Sequence, residues 1–367
     1  MKILHIDPDD IENPQAGGGP ERTWQIYRRL AARHQITVLT PTFDGCTREK
    51  MREGVRFVRL GRKLGGRGAS HHLTFLLSLP AAVRRFDHDL LVEDFMPPAS
   101  VTFTPLVARR PLIASVQWFF ARSLSEQLHV PFHLAERWGV RWYHNFIVLS
   151  GSMRRHIETL QPRARCAVIP EGAADDLFAL PFNWGDFILY LGRVDVQQKG
   201  VDLLLRALAL IPPAERLPLV LAGHGFQWRT VQALISELGL NAWVRLHGRV
   251  DAAERARLFA GCRFTCVPSR EETFGMVIAE SCAAGKAVVV FDRAPMNEVA
   301  APDSCELVEP LRVDRYAEAM RRLLREDEAT LRRRGDLCRA WAGRYRWDAI
   351  ALEQERFYTT VLEEAST

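Results

Sequence analysis

The sequence predicts an α/β protein made of two doubly wound domains in series. Three observations predict it. The 367 residues exceed what one ordinary hydrophobic core takes up. Short apolar runs alternate with stretches of helical spacing, the pattern of a parallel sheet with helices on both faces. That alternation stops at Pro170-Glu171-Gly172-Ala173-Ala174-Asp175-Asp176, which has no hydrophobic periodicity, and then begins again.

The first domain, residues 1–170, opens on a buried strand at 3–6 and a turn at Gly17-Gly18-Gly19-Pro20. Residues 21–33 then place Trp24, Tyr27 and Leu30 on one helical face. Further strands are expected at 36–39, 55–60, 90–92, 112–116 and 147–149, and Ser150 behind the last is a helix N-cap. Residues 168–170 close this half. The second domain, residues 175–345, carries strands at 187–191, 217–222, 244–246, 264–267 and 287–291, with helices at 201–210, 231–238 and 277–284. Residues 347–363 set Trp347, Ile350, Phe357 and Val361 on one helical face. This last helix is assigned to the first domain, with packing across both halves as the alternative.

Composition excludes several classes. With 47% hydrophobic and 25% charged residues, the chain is neither disordered nor fibrous. The net charge of +5 is spread over scattered arginines, so it reads either as a solvated basic surface or as attraction to phosphates or an anionic membrane. A dense basic run interleaved with aromatics is missing, which argues against nucleic acid. The seven cysteines are odd in number and several lie in apolar runs, as buried thiols of a reducing compartment do. Cys262 and Cys266 are four apart, but no His pair completes a zinc set, and no metal is expected. The opening MKILHID reads as a strand rather than a signal peptide, and the apolar run 73–83 is too short to span a bilayer. A cytoplasmic protein is expected, at the inner face of the membrane where it touches one. The stretch 56–85 suggests such contact: Arg56, Arg59, Arg62, Lys63, Arg67, Arg84 and Arg85 surround Phe75, Leu76 and Leu77. A core helix beside a basic loop explains the same residues.

In open parallel sheets, ligands bind beyond the carboxyl ends of the strands. Two polar segments fall at such ends. In 268–280, Glu272 lies in a loop and Glu280, separated from it by seven residues, lies inside a helix. Gly275 permits close backbone approach, and the helix start offers unpaired N–H groups and a positive dipole to a diphosphate. In Gly192-Arg193-Val194-Asp195-Val196-Gln197-Gln198-Lys199-Gly200, Arg193 and Lys199 follow a strand and precede a helix, where two cations would stabilise a departing diphosphate.

Gly192-Arg193 with Lys199-Gly200, Gly223-His224-Gly225, His247-Gly248-Arg249-Val250, and 268–280 followed by Ala283-Ala284-Gly285 stand in the order of glycosyltransferase family 4. The C-terminal half resembles this retaining family over most of 187–291. The resemblance implies a GT-B fold, two Rossmann-like domains facing a central cleft, and transfer of a hexose-type sugar from a nucleotide-sugar donor (UDP- or GDP-sugar) to a hydroxyl of a glycan, lipid-linked or natural-product acceptor. It implies that Arg193 and Lys199 bind the diphosphate, that Glu272 holds sugar hydroxyls beside backbone contacts from Phe274, Gly275 and Met276, that Glu280 binds the ribose, that Arg249 and Val250 lie at the base, and that Gly223 belongs to the donor site. Gly18 and Gly19 would stand in the family's Gly-rich loop near the donor phosphate. Gln117 occupies the place where the family often has a His. A Gln cannot titrate, so it could only position a group by hydrogen bonding. Asp7, Glu93 and Asp94 follow strands and are acceptor candidates, or solvated loop acids. A donor site held by cationic side chains and a helix dipole needs no metal. Two other readings share the motifs: another nucleotide-sugar enzyme, such as an epimerase or a phosphorylase-like one, and a non-catalytic nucleotide-sugar binder.

Overall fold

The computed structural model describes residues 1–14, 16, 18–63, 70–95, 104–117 and 132–366. The chain divides into two compact units, Met1–Glu171 with Trp347–Thr367, and Gly172–Arg346.

The first unit is an eight-stranded sheet in the order β3-β4-β2-β1-β5-β6-β7-β8, formed by Lys2–Ile6 (β1), Gln35–Pro41 (β2), Glu49–Arg52 (β3), Val55–Leu60 (β4), Leu90–Phe95 (β5), Leu112–Val116 (β6), Asn145–Val148 (β7) and Arg165–Val168 (β8). Every pairing is parallel except β3 with β4. Strand β3, Glu-Lys-Met-Arg, has no apolar alternation to announce it, and its charged, exposed residues suit a sheet edge. Order along the sheet reverses at β1, between β2 and β5, so the crevice beyond its carboxyl end is a topological switch point. Helix Gly19–Leu30 buries Trp24, Ile26, Tyr27 and Leu30. The terminal helix Trp347–Ala365 meets that face with Trp347, Ile350, Tyr358 and Val361 in one shared core. Each such side chain contributes about 1.5–3 kcal/mol of burial. Ser150 caps helix Gly151–Leu160, its hydroxyl accepting from the Met153 amide at 3.2 Å.

The basic stretch beside this sheet is structural in part. Helix Ser70–Arg85 seats Phe75, Leu79 and Val83 in the core and turns Leu73 and Leu77 outward. Arg59 is a buried anchor, 2.8 Å from Asp10 and 2.9 Å from Glu12. Arg56 pairs with Glu49, and Lys63 with Asp44. Arg59 is therefore not part of any membrane-facing charge. Gly17 and Arg67 lie outside the described residues.

The second unit is a fully parallel six-stranded sheet, β11-β10-β9-β12-β13-β14, built from Ile188–Leu191 (β9), Leu219–Ala222 (β10), Val244–Gly248 (β11), Phe264–Val267 (β12), Val288–Phe291 (β13) and Glu306–Val308 (β14). Here the order reverses at β9, between β10 and β12. The loops leaving these three strands meet at the carboxyl end of the sheet. Among the described residues, no helix is long and apolar enough to cross a membrane.

Candidate functional site

Close backbone contact builds the site in the second unit. Gly192 and Gly223 end β9 and β10 at φ of 150° and 138°. A Cβ on Gly223 would fall 1.8 Å from the Gly192 carbonyl oxygen, and one on Gly225 would fall 2.1 Å from that of Val194. Gly200 would likewise strike the Pro268 carbonyl at 2.2 Å. These glycines let the loops after β9, β10 and β12 touch main chain to main chain. Arg270, which the sequence reading passed over, ties them further: its guanidinium forks onto Asp202 with two 2.8 Å bonds, and its amide donates to the Gln198 carbonyl.

Lys199 and Glu272, seventy-three residues apart, thereby meet at 2.7 Å. The Ser269 hydroxyl donates to the same Glu272 oxygen, also at 2.7 Å. Arg193, from the same loop as Lys199, has a largely exposed guanidinium that bonds the Gln198 side chain and lies 4.0 Å from Asp195. Its carbonyl accepts the Tyr190 hydroxyl, and burial pushes that phenol upward, so it donates throughout the ordinary pH range. Gly275, at φ 97°, opens helix Met276–Ala283 as its N-cap. Two cations, an anion and a helix start therefore share one end of the sheet. That set can bind a diphosphate by charge and hydrogen-bond a neutral polyol through Glu272.

The other predicted donor residues are placed less uniformly. Glu280 is buried in the same helix and accepts from the Arg255 guanidinium at 2.7 Å, while burial raises its pKa against Arg255's pull. Arg255 was missed; the Asp251 cap of helix Ala252–Gly261 was its one local signal. Phe274 is buried edge-on against Tyr345, so only its main chain can serve a ligand. Met276 is half-buried. Arg249 is exposed and Val250 half-buried, in the loop after β11.

In the first unit, Gly18 caps helix Gly19–Leu30, and a Cβ on Gly19 would meet no atom within 4 Å. Gln117 follows β6 and makes a long 3.5 Å contact with the Ser115 hydroxyl. Asp7, Glu93 and Asp94 are not solvated loop acids. Glu93 and Asp94 belong to β5, and all three are buried. Glu93 accepts from Tyr143 at 2.6 Å and Thr104 at 3.0 Å, and burial raises its pKa to about 8. His5 bonds Tyr27 through Nδ1 at 2.6 Å and faces Asp94 through Nε2 at 3.3 Å. Burial and the Asp94 charge push Asp7 well upward. His5 with Asp7 and Asp94, and Cys282 with Cys305 and Cys338, each bring their donor atoms within 4.8 Å of one another. Neither group shows in sequence spacing alone: Asp94 comes to His5 and Asp7 from β5, and the three cysteines come from separate segments.

Comparisons with known proteins cover nearly the whole chain. A family model described as Glycosyltransferase Family 4 matches residues 16–177, and one described as Glycosyl transferases group 1 matches residues 179–336. A phosphatidyl-myo-inositol mannosyltransferase of Mycobacterium leprae is 28% identical over 385 residues, spanning 100% of this chain and 98% of that relative. An MMP alpha-(1->4)-mannosyltransferase of Mycolicibacterium hassiacum is 30% identical over 174 residues, 47% of this chain and 42% of that relative. Among solved structures, sucrose-phosphate synthase from Thermosynechococcus elongatus matches with a TM-score of 0.80 at 22% identity, covering 100% of both chains. Anabaena HepE, solved with UDP and glucose, matches with a TM-score of 0.74 at 19% identity over 97% of this chain and 98% of that one. At these identities the structural matches bear on fold alone.

Proposed function

We propose that this chain, which belongs to glycosyltransferase family 4 and has its GT-B fold, is a retaining, metal-independent transferase that binds a UDP- or GDP-hexose through its second unit. The meeting of Lys199, Glu272 and Ser269 beside Arg193, at the start of helix Met276–Ala283, carries this reading. Arg193, Lys199 and the helix start hold the diphosphate and take up the charge that grows as the glycosidic bond breaks. Glu272 accepts hydrogen bonds from the sugar, Glu280 from the ribose. The acceptor hydroxyl attacks on the face the diphosphate leaves, and the diphosphate takes its proton. Gln117 positions a group rather than moving a proton.

The first unit takes the acceptor in this proposal. The full-length relative is a phosphatidyl-myo-inositol mannosyltransferase, which makes a lipid-linked acceptor and a mannosyl donor the first pair to try. Leu73 and Leu77, exposed on helix Ser70–Arg85 whose last turn holds Arg84 and Arg85, support contact with an anionic membrane face. Product analysis after incubation with nucleotide-hexoses and phosphoinositide or polyprenol-type acceptors tests the proposal. An α-linked product from an α-configured donor is expected, and an inverted linkage would overturn the retaining mechanism.

A further inference from the structure

Three thiols outside the donor site converge in the core of the second unit. Cys282 lies in helix Met276–Ala283, Cys338 in helix Glu328–Ala342, and Cys305 just before β14. Their sulfurs lie within 4.8 Å of one another, Cys282 and Cys305 at 3.8 Å. All three side chains are buried.

Separate anchors hold each one. A Cβ on Gly335 would lie 2.7 Å from the Gly285 carbonyl, so Gly335 lets helix Glu328–Ala342 approach the end of helix Met276–Ala283. Cys338 is three residues after that contact and Cys282 three before it. Cys305 is held on both sides by Arg334, which donates to the Ser304 carbonyl and to the Glu306 carboxylate at 3.0 Å each. Its own amide donates to Ala301 at 3.0 Å. Convergence of three sulfurs from three separately fixed segments is the arrangement a metal needs, and it exceeds what a disulfide uses. A metal–sulfur bond of ~2.3 Å sets sulfurs ~3.8–4.0 Å apart in tetrahedral or trigonal coordination. The Cys282–Cys305 spacing already has that length, and it is far from a covalent S–S bond.

We propose that Cys282, Cys305 and Cys338 form a structural site for one thiophilic metal ion of the copper(I), zinc(II) and cadmium(II) class. Each thiol releases its proton to solvent as its metal–sulfur bond forms, and nothing is oxidised or reduced. A divalent ion displaces three protons, so affinity falls as pH falls. Cys282 is two residues past Glu280 in one helix, and the ion would fix that helix to its neighbour without touching the donor.

The test uses the full-length chain with Cys46→Ser and Cys166→Ser, which removes the two half-buried thiols. Cadmium(II) is titrated into the reduced protein, and also added during refolding, which opens the cluster. The sulfur-to-cadmium charge-transfer band should saturate at one equivalent per chain, with proton release and a raised thermal midpoint. It should vanish in Cys305→Ala or Cys338→Ala added to that chain. No band in the fully reduced parent overturns the proposal, whether or not the added variants fold. An undiminished band in folded variants does so too, as does a Cys282–Cys305 disulfide whose reduced form takes up no cadmium.

Discussion

The Lys199 ammonium lies 2.7 Å from the Glu272 carboxylate, and that carboxylate also accepts from Ser269. The pair joins the loops after β9 and β12, and each charge offsets the other while no ligand is bound. In the proposed donor complex a diphosphate would compete for Lys199 and free Glu272 for the sugar. Lys199→Ala and Glu272→Ala should each lower turnover by ~10²-fold or more, the scale for losing a group that stabilises developing charge. Circular dichroism and thermal melting should show the fold retained. Wild-type rates from either folded variant would remove these loops from the donor site.

Gly223 and Gly19 make a contrasting pair. A side chain at Gly223 collides with the Gly192 carbonyl at 1.8 Å in a positive-φ conformation, whereas Gly19 has open space around it. Gly223→Ala should give a strongly destabilised or insoluble protein. Gly19→Ala should melt within about 1 kcal/mol of wild type, since Ala is the better helix former. If Gly19 faces the donor phosphate, that well-folded variant loses activity; full activity would take the glycine loop out of the site. Chemical denaturation and steady-state rates read the two effects separately.

Glu93 gives a pH prediction with a definite sign. Its folded pKa of about 8 lies above the ordinary carboxyl value because of burial, with the Asp94 charge adding to it against the Tyr143 and Thr104 bonds. Between the two pKa values the folded state holds more protons than the unfolded one, so stability falls as pH rises through that window and levels off above it. Glu93→Gln removes the titration. Its stability relative to wild type should grow between about pH 5 and pH 8, by up to about 1.4 kcal/mol per pH unit. A constant difference in urea midpoints over that range would contradict the assignment.

Much of this was legible in the sequence, and the limits have physical causes. Strands β9 and β10 announce themselves as apolar runs ended by glycine, β12 as one ended by Pro268, and the family motifs sit at the carboxyl ends of β9 to β12. Contacts between distant segments do not register in local patterning. Nothing near Glu280 signals Arg255, and nothing near Arg59 signals Asp10. Glu93 and Asp94 look like the loop after a strand, because a buried strand rarely carries two adjacent acids; Tyr143, Thr104 and His5 make it tolerable here. Strands β3 and β14 are short and half-polar, with no period to read.

Metal independence can be tested directly. The donor groups named above are side-chain cations and a helix start, so dialysis against a chelator should leave the transfer rate unchanged. Loss of activity on chelation with the thermal midpoint unchanged, and recovery on adding a divalent cation, would reverse that expectation and turn attention to His5, Asp7 and Asp94 rather than to a structural ion at the three cysteines.

The most direct measurement of the donor assignment is calorimetric titration of UDP and GDP into the wild-type chain, Arg193→Ala and Lys199→Ala. One nucleoside diphosphate should bind at one per chain, and each variant should bind it at least ~10-fold more weakly, in line with ~1.5–3 kcal/mol for a charged hydrogen bond. Equal affinity in all three folded proteins would contradict a diphosphate held by Arg193 and Lys199.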